Sequence, residues 1–212
     1  MTDPATGRFI TLEGGEGAGK STQISRLGEW LRGRGHTIVA TREPGGAPGA
    51  EMVRKLLVEG PAERWDGTTE ALLHFAARRD HLRSTVWPAL KRGAWVISDR
   101  FADSTVAYQG YGYGLDRSML HKLYGIAVGD FHPDLTLILD LPVEVGLGRA
   151  AARRGSETRY EGLPKDFHER VRAGFLGIAA ADPGRCVVID ATRDIESIAV
   201  AITETVIERL GA

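Results

Sequence analysis

Cysteine is almost missing from this chain: Cys186 is the only one among 212 residues. An intrachain disulfide is therefore impossible, and a reducing compartment is expected. Cys186 lies in the apolar run Cys186-Val187-Val188-Ile189, which marks it as a buried structural thiol. Net charge is also lacking, since 27 Lys and Arg face 28 Asp and Glu. That balance argues against a nucleic-acid or membrane-surface protein, which needs a net basic face. No apolar run reaches the ~20 residues of a membrane helix, and Met1 to Arg8 holds no apolar signal segment. These absences predict a cytoplasmic protein, one domain over residues 1–212, with no membrane or nucleic-acid partner. Lysine is scarce too, with five against 22 arginines. Either the source genome favours arginine, or some of these planar forks grip anions bidentately.

What is present begins with Gly14-Gly15-Glu16-Gly17-Ala18-Gly19-Lys20-Ser21, a complete G-x-x-x-x-G-K-[ST] loop. It follows the apolar run Phe9-Ile10-Thr11-Leu12 and precedes a helix-forming stretch, and Thr22, next after the loop, is expected to bind ATP with it. A Gly-rich turn capping a helix would explain the glycines but not Lys20-Ser21. In a phosphate-binding loop the backbone N–H groups turn inward around the anion, Lys20 reaches the terminal phosphates, and the Ser21 hydroxyl ligates Mg²⁺.

Five β-branched-rich runs (9–13, 36–41, 94–98, 135–140 and 185–190) alternate with helical periodicities. One helix carries Ile24, Leu27, Trp30 and Leu31, one spans about 69–91, and one spans about 194–210. The pattern predicts an α/β fold, a five-stranded parallel sheet with helices on both faces, whose ligands sit beyond the carboxyl ends of the strands. Those ends are charged: Glu13, Arg42-Glu43-Pro44, Asp99-Arg100, Asp140 and Asp190. Asp99, closing an apolar strand beside a phosphate loop, is the second Mg²⁺ candidate with Ser21, and Arg100 beside it could pair with a further phosphate. The charge-dense stretch 149–163, with Arg149, Arg153, Arg154 and Arg159, reads as a short Arg-rich lid. The run Gly110-Tyr111-Gly112-Tyr113-Gly114 reads as a loop.

No Asn-Lys-x-Asp element and no His or Cys cluster occurs. Massed cations without an acid–base apparatus suit phosphoryl transfer between two anions, because a phosphomonoester (second pKa about 6) is already a nucleophile near neutral pH.

In order, the loop 13–21, Thr41-Arg42-Glu43-Pro44-Gly45-Gly46, Phe75-Ala76-Ala77-Arg78-Arg79, the run from Asp99 to Gly110, the lid and Ile189-Asp190-Ala191-Thr192 resemble the thymidylate kinase family, in its bacterial form with the catalytic arginine in the lid. The resemblance implies a P-loop nucleoside monophosphate kinase fold, ATP as donor, dTMP as acceptor, Mg²⁺ and a homodimer. It implies that Glu16 faces the deoxyribose and that Gly17 stands where eukaryotic-type enzymes carry Arg. The lid then supplies the catalytic cation, Arg153 or Arg154, and Arg149 lies against adenine near Asp190 and Ala191. Phe75 and Arg79, four apart on a helix, are implied to stack on the thymine and donate to its O4. Arg100 and Arg54 are implied to hold the acceptor phosphate near Glu43 and Pro44, Thr105 and Gln109 to meet the base edge, and Tyr108 to exclude a 2′-hydroxyl. The alternatives are a P-loop kinase for another nucleoside or nucleotide, or a nucleotide-binding switch or ATPase.

Overall fold

A computed structural model describes residues 7–152 and 159–212. Five strands, β1 (Phe9–Glu13), β2 (Ile38–Arg42), β3 (Trp95–Asp99), β4 (Leu135–Asp140) and β5 (Cys186–Asp190), pair in the order β2-β3-β1-β4-β5. All four pairings are parallel. Every carboxyl end therefore lies on one edge of the sheet, as the five apolar runs predict.

The strands alternate their burdens by pleat. Ile10, Leu12, Ile97, Leu137 and Leu139 pack on one face beneath α1 (Lys20–Gly33) and the last helix, which runs from Ile195 to Leu210. The contacts come from Ile24, Leu27, Leu31, Ile198, Ile202 and Val206, spaced at helical periods. Phe9 and Val96 take the other face, under the helices that follow β2 and β3. The inner strand positions are near-continuously apolar because both faces are covered. The two edge strands, β2 and β5, are the exceptions and are only partly buried.

Between β2 and β3 lie α2 (Pro48–Val58) and α3 (Gly67–His81), the latter capped by Asp66 accepting from the Thr69 N–H at 2.6 Å. Through a wider π turn, 82–86, α3 continues into α4 (Trp87–Lys91). The expected helix 69–91 is present, with Phe75, Leu82 and Val86 in the core, but not every apolar residue faces inward and not every inward residue is apolar. Leu72 is 52% exposed, whereas Arg78 and His81 are buried.

After β3 come α5 (Ala102–Thr105), a π-helical stretch over 106–112, and α6 (Arg117–Ala127). The run 110–114 is thus not a loop throughout: it is helical as far as Gly112. The reason is packing, since a Cβ on Gly112 would press into Phe167, and Tyr111 fills the space left by Gly174. The remaining helices are α7 (Val143–Ala151), α8 (Lys165–Ala181), whose Phe167, Val171 and Phe175 pack on Ile138 and Tyr108, and α9, the last helix (Ile195–Leu210).

Candidate active site

The phosphate loop bridges β1 and α1, with Gly14, Gly17 and Gly19 at φ of 131°, 67° and 90°. Such angles favour glycine, since a Cβ strains them. Gly17 has a second reason: a Cβ there would overlap the carbonyl oxygen of Gly146 in α7, and one on Gly146 would meet the Glu16 carbonyl. The two glycines let helix and loop backbones touch, so the arginine of eukaryotic-type enzymes has no room at residue 17.

Lys20 is buried, and its Nζ donates to the carbonyls of Gly14 (3.1 Å) and Gly15 (3.0 Å), inside the loop. Burial, with Arg100 nearby, lowers its pKa to about 8. Ser21 Oγ lies 3.1 Å from Asp99 Oδ2, so the two expected metal ligands meet. Two hard oxygen donors beside a phosphate loop fit Mg²⁺, which keeps several waters and takes few protein ligands.

Beyond the loop opens a cleft of about 560 Å³, lined among others by Glu16, Arg42, Glu43, Arg54, Arg100 and Tyr108. Arg100 is its centre. It is the one described non-glycine residue at positive φ, 67°, a conformation that costs roughly 1–2 kcal/mol. The twist aims its guanidinium back over the loop. Nη1 donates to Gly14 O (3.0 Å) and Ser104 Oγ (3.1 Å), while Nη2 donates to Glu16 Oε1 and Tyr108 Oη, both at 3.0 Å. The Phe101 N–H donates to Glu13 Oε1 at 2.7 Å, which fixes the turn. Burial opposes ionisation of Glu16, yet Arg100, Lys20 and the Tyr108 hydroxyl hold its carboxyl down at about 2. Glu16 is thus an acceptor throughout the neutral range.

On the β2 side, Arg54 Nη1 donates to Pro44 O at 2.5 Å, after a cis Glu43–Pro44 peptide. Glu43 accepts from Arg78 Nε (2.7 Å) and bonds His81 Nδ1 (2.9 Å), a pairing buried on all sides.

Here the structure corrects the expected base grip. Phe75 is buried in the core among Phe9, Val96 and Phe101, and does not line the cleft. Arg79 points away too, with Nη1 donating to Ala127 O (3.3 Å) and its guanidinium over Trp87. One residue earlier the register fits: His74 lines the cleft, and Arg78 lies behind Glu43. Thr105 is also buried behind the surface, its Oγ1 accepting from Arg78 Nη2 at 3.0 Å. Gln109 does line the cleft. Among the described residues, the acceptor Gln109 Oε1, on a residue of the cleft lining, and the donor Arg78 Nη1, buried behind Glu43, have no partner.

Glu70 and His74, near the cleft floor, carry no role in the sequence reading, and Arg159 and Tyr160 enter it only as part of the lid stretch. A signal existed: Glu70, His74, Arg78 and His81 form a polar stripe at helical spacing along α3, where a core stripe would be apolar. The Arg-rich stretch 149–163 is divided. Arg149 belongs to the last turn of α7 and its Nη1 donates to Ala191 O at 3.4 Å, beside Asp190 at the β5 end. Arg159 is buried and bonds Leu57 O, Pro61 O and Glu70, so it is an anchor rather than a mobile cation. Arg153 and Arg154, the expected catalytic cations, lie outside the described residues. Thr22 is exposed at the first turn of α1 and does not line the cleft.

Comparison with known proteins agrees with this geometry. The thymidylate kinase family model matches residues 12–202. The thymidylate kinase of Caulobacter vibrioides is 55% identical over 205 residues, covering 97% of this chain and 98% of that protein. That of Afipia carboxidovorans is 50% identical, covering 99% and 92%. A crystal structure of thymidylate kinase from Ehrlichia chaffeensis superposes with a TM-score of 0.78 at 34% identity, over 94% of this chain and 98% of that one. With a charged cleft beside its phosphate loop and relatives matched nearly end to end, this chain belongs to the thymidylate kinase family.

Proposed function

We propose that this protein transfers the γ-phosphoryl group of ATP to dTMP, giving ADP and dTDP. The observation that carries this reading is Gln109 Oε1, an unpartnered acceptor on a residue that lines the cleft, together with the unpartnered donor Arg78 Nη1, whose residue is paired with the cleft-lining Glu43. A donor and an acceptor buried and left unpaired are costly unless a ligand satisfies them. Thymine presents the complement, an O4 acceptor beside an N3–H donor. Cytosine presents a donor amino group and an acceptor N3, and would clash with both.

The rest of the acceptor fits around that edge. Arg100 and Arg54 face the acceptor phosphate, and Glu16, held ionised, accepts from the 3′-hydroxyl. Tyr108, pinned by Arg100 and Glu16, packs beneath the sugar and leaves no space for a 2′-hydroxyl. The donor triphosphate lies in the loop 14–21, with Thr22 following, Lys20 on its terminal phosphates and Arg149, Asp190 and Ala191 about its base. Ser21 and Asp99 would hold Mg²⁺, which offsets charge on the donor phosphates. The acceptor dianion needs no base to attack. The protein's part is to hold two repelling anions in line and to bring cationic charge to the transferred group, and Arg153 or Arg154 is assigned that last role.

A homodimer in the cytoplasm completes the proposal. Adjoining helices α2, α3 and α6 each expose an apolar residue, Met52 (73%), Leu72 (52%) and Ile126 (81%), a face suited to a second copy. Among the described residues no helix is long and apolar enough to cross a membrane.

The test is ADP release from Mg·ATP with dTMP, dUMP, dCMP, thymidine or no acceptor. Strong release with dTMP, weaker with dUMP and none without acceptor is the expected result. Equal release in every tube would mean an ATPase or switch and would sink the proposal.

A further inference from the structure

Glu70 lies in α3 with no exposed surface. Arg159 Nη2 donates to its Oε1, while Gln109 Nε2 (3.0 Å) and Tyr160 Oη (3.2 Å) both donate to Oε2. An ionised carboxylate only accepts, and the buried Arg159 supplies its countercharge. That polarity spreads outward to the cleft. The Gln109 amide must turn its NH₂ toward Glu70, because its carbonyl oxygen there would face a carboxylate. Oε1 is then left as the unpartnered acceptor. Tyr160 has one hydroxyl proton, given to Glu70, so the 3.3 Å contact with His74 Nε2 is donated by His74. His74 is kept neutral by burial and by Arg78, which pull its pKa to about 3. Its proton therefore sits on Nε2, and Nδ1 carries a lone pair. Gln109, His74 and Tyr160 all line the cleft.

We propose that Glu70 is a positioning residue for base selection: without touching the acceptor, it fixes the hydrogen-bond polarity of Gln109 and His74, so that the floor accepts from a base N3–H. The inference rests on the reading that the acceptor is a pyrimidine nucleotide. A glutamine at 70 could offer Gln109 either a donor or an acceptor, and the Gln109 amide would no longer be committed.

The experiment compares kcat/KM for dUMP and dCMP, which differ only in the 4-keto or 4-amino edge, with dTMP alongside. In Glu70→Gln the preference for dUMP over dCMP should fall by about tenfold or more, through a gain with dCMP as well as a loss with dUMP. Should the lone charge on Arg159 prevent folding, the double variant Glu70→Gln with Arg159→Met removes both charges together and carries the same prediction. A parallel fall for every acceptor, with the ratio unchanged, would make Glu70 structural and overturn the inference. A wild-type protein that does not phosphorylate dTMP would instead sink the proposed function, so the two failures are separate.

Discussion

Arg78 and Arg79 are adjacent in the chain and opposite in role. Arg78 is 2% exposed, paired with Glu43 and hydrogen-bonded to Phe101 O and Thr105. Arg79 rests on Trp87, a contact worth ~0.5–1 kcal/mol where exposed. Arg78→Lys keeps the charge but loses the fork, so it should raise the KM for dTMP about tenfold or more. Arg79→Ala should leave that KM within about twofold. Steady-state kinetics on the two variants decide the matter, and the reverse order would restore the register read from the sequence. That register was one residue off for a physical reason. Phe75 is aromatic and Arg79 cationic, the types a base grip wants, but residue type does not say which flank of a helix faces a ligand. The polar stripe Glu70, His74, Arg78 and His81 does say so, because polar groups on the inner face of a helix need partners. By contrast Lys20, Ser21, Asp99 and Arg100 were legible, since a loop of fixed backbone shape and a strand end leave little choice of direction.

At the scale of elements, the sheet was legible nearly to the residue. Near-continuous apolar runs between amphipathic stretches have few solutions other than a doubly covered parallel sheet. Less legible were contacts that depend on small residues. Nothing in the run Val143-Glu144-Val145-Gly146 announces that α7 touches the phosphate loop, yet Gly146 and Gly17 meet backbone to backbone. Gly146→Ala adds one methyl at the Glu16 carbonyl. It should weaken ATP binding about tenfold and leave the protein folded, as titration calorimetry and circular dichroism would report. Unchanged ATP affinity would mean that the loop tolerates displacement. The glycine run 110–114 shows the same limit from the other side: glycines that suggest a loop instead let π-helical turns pack closely against α8.

For the whole molecule, the parallel strands gather every charged strand end on one edge, and the cleft grows from that single fact. The surface proposed for a second copy, on α2, α3 and α6, carries no motif of its own, so the sequence alone could not place it. If α2, α3 and α6 form that surface, sedimentation of the wild type should give a dimer, and Met52→Glu with Ile126→Glu a monomer. A dimer that survives both changes would move the interface elsewhere.

The central claim, that this cleft joins two nucleotides for direct transfer, is tested most directly by following a labelled γ-phosphoryl group from Mg·ATP in the presence of dTMP. The account predicts label in dTDP, one for each ADP formed, with inorganic phosphate at background. Label released as inorganic phosphate while dTMP is recovered unchanged would contradict it.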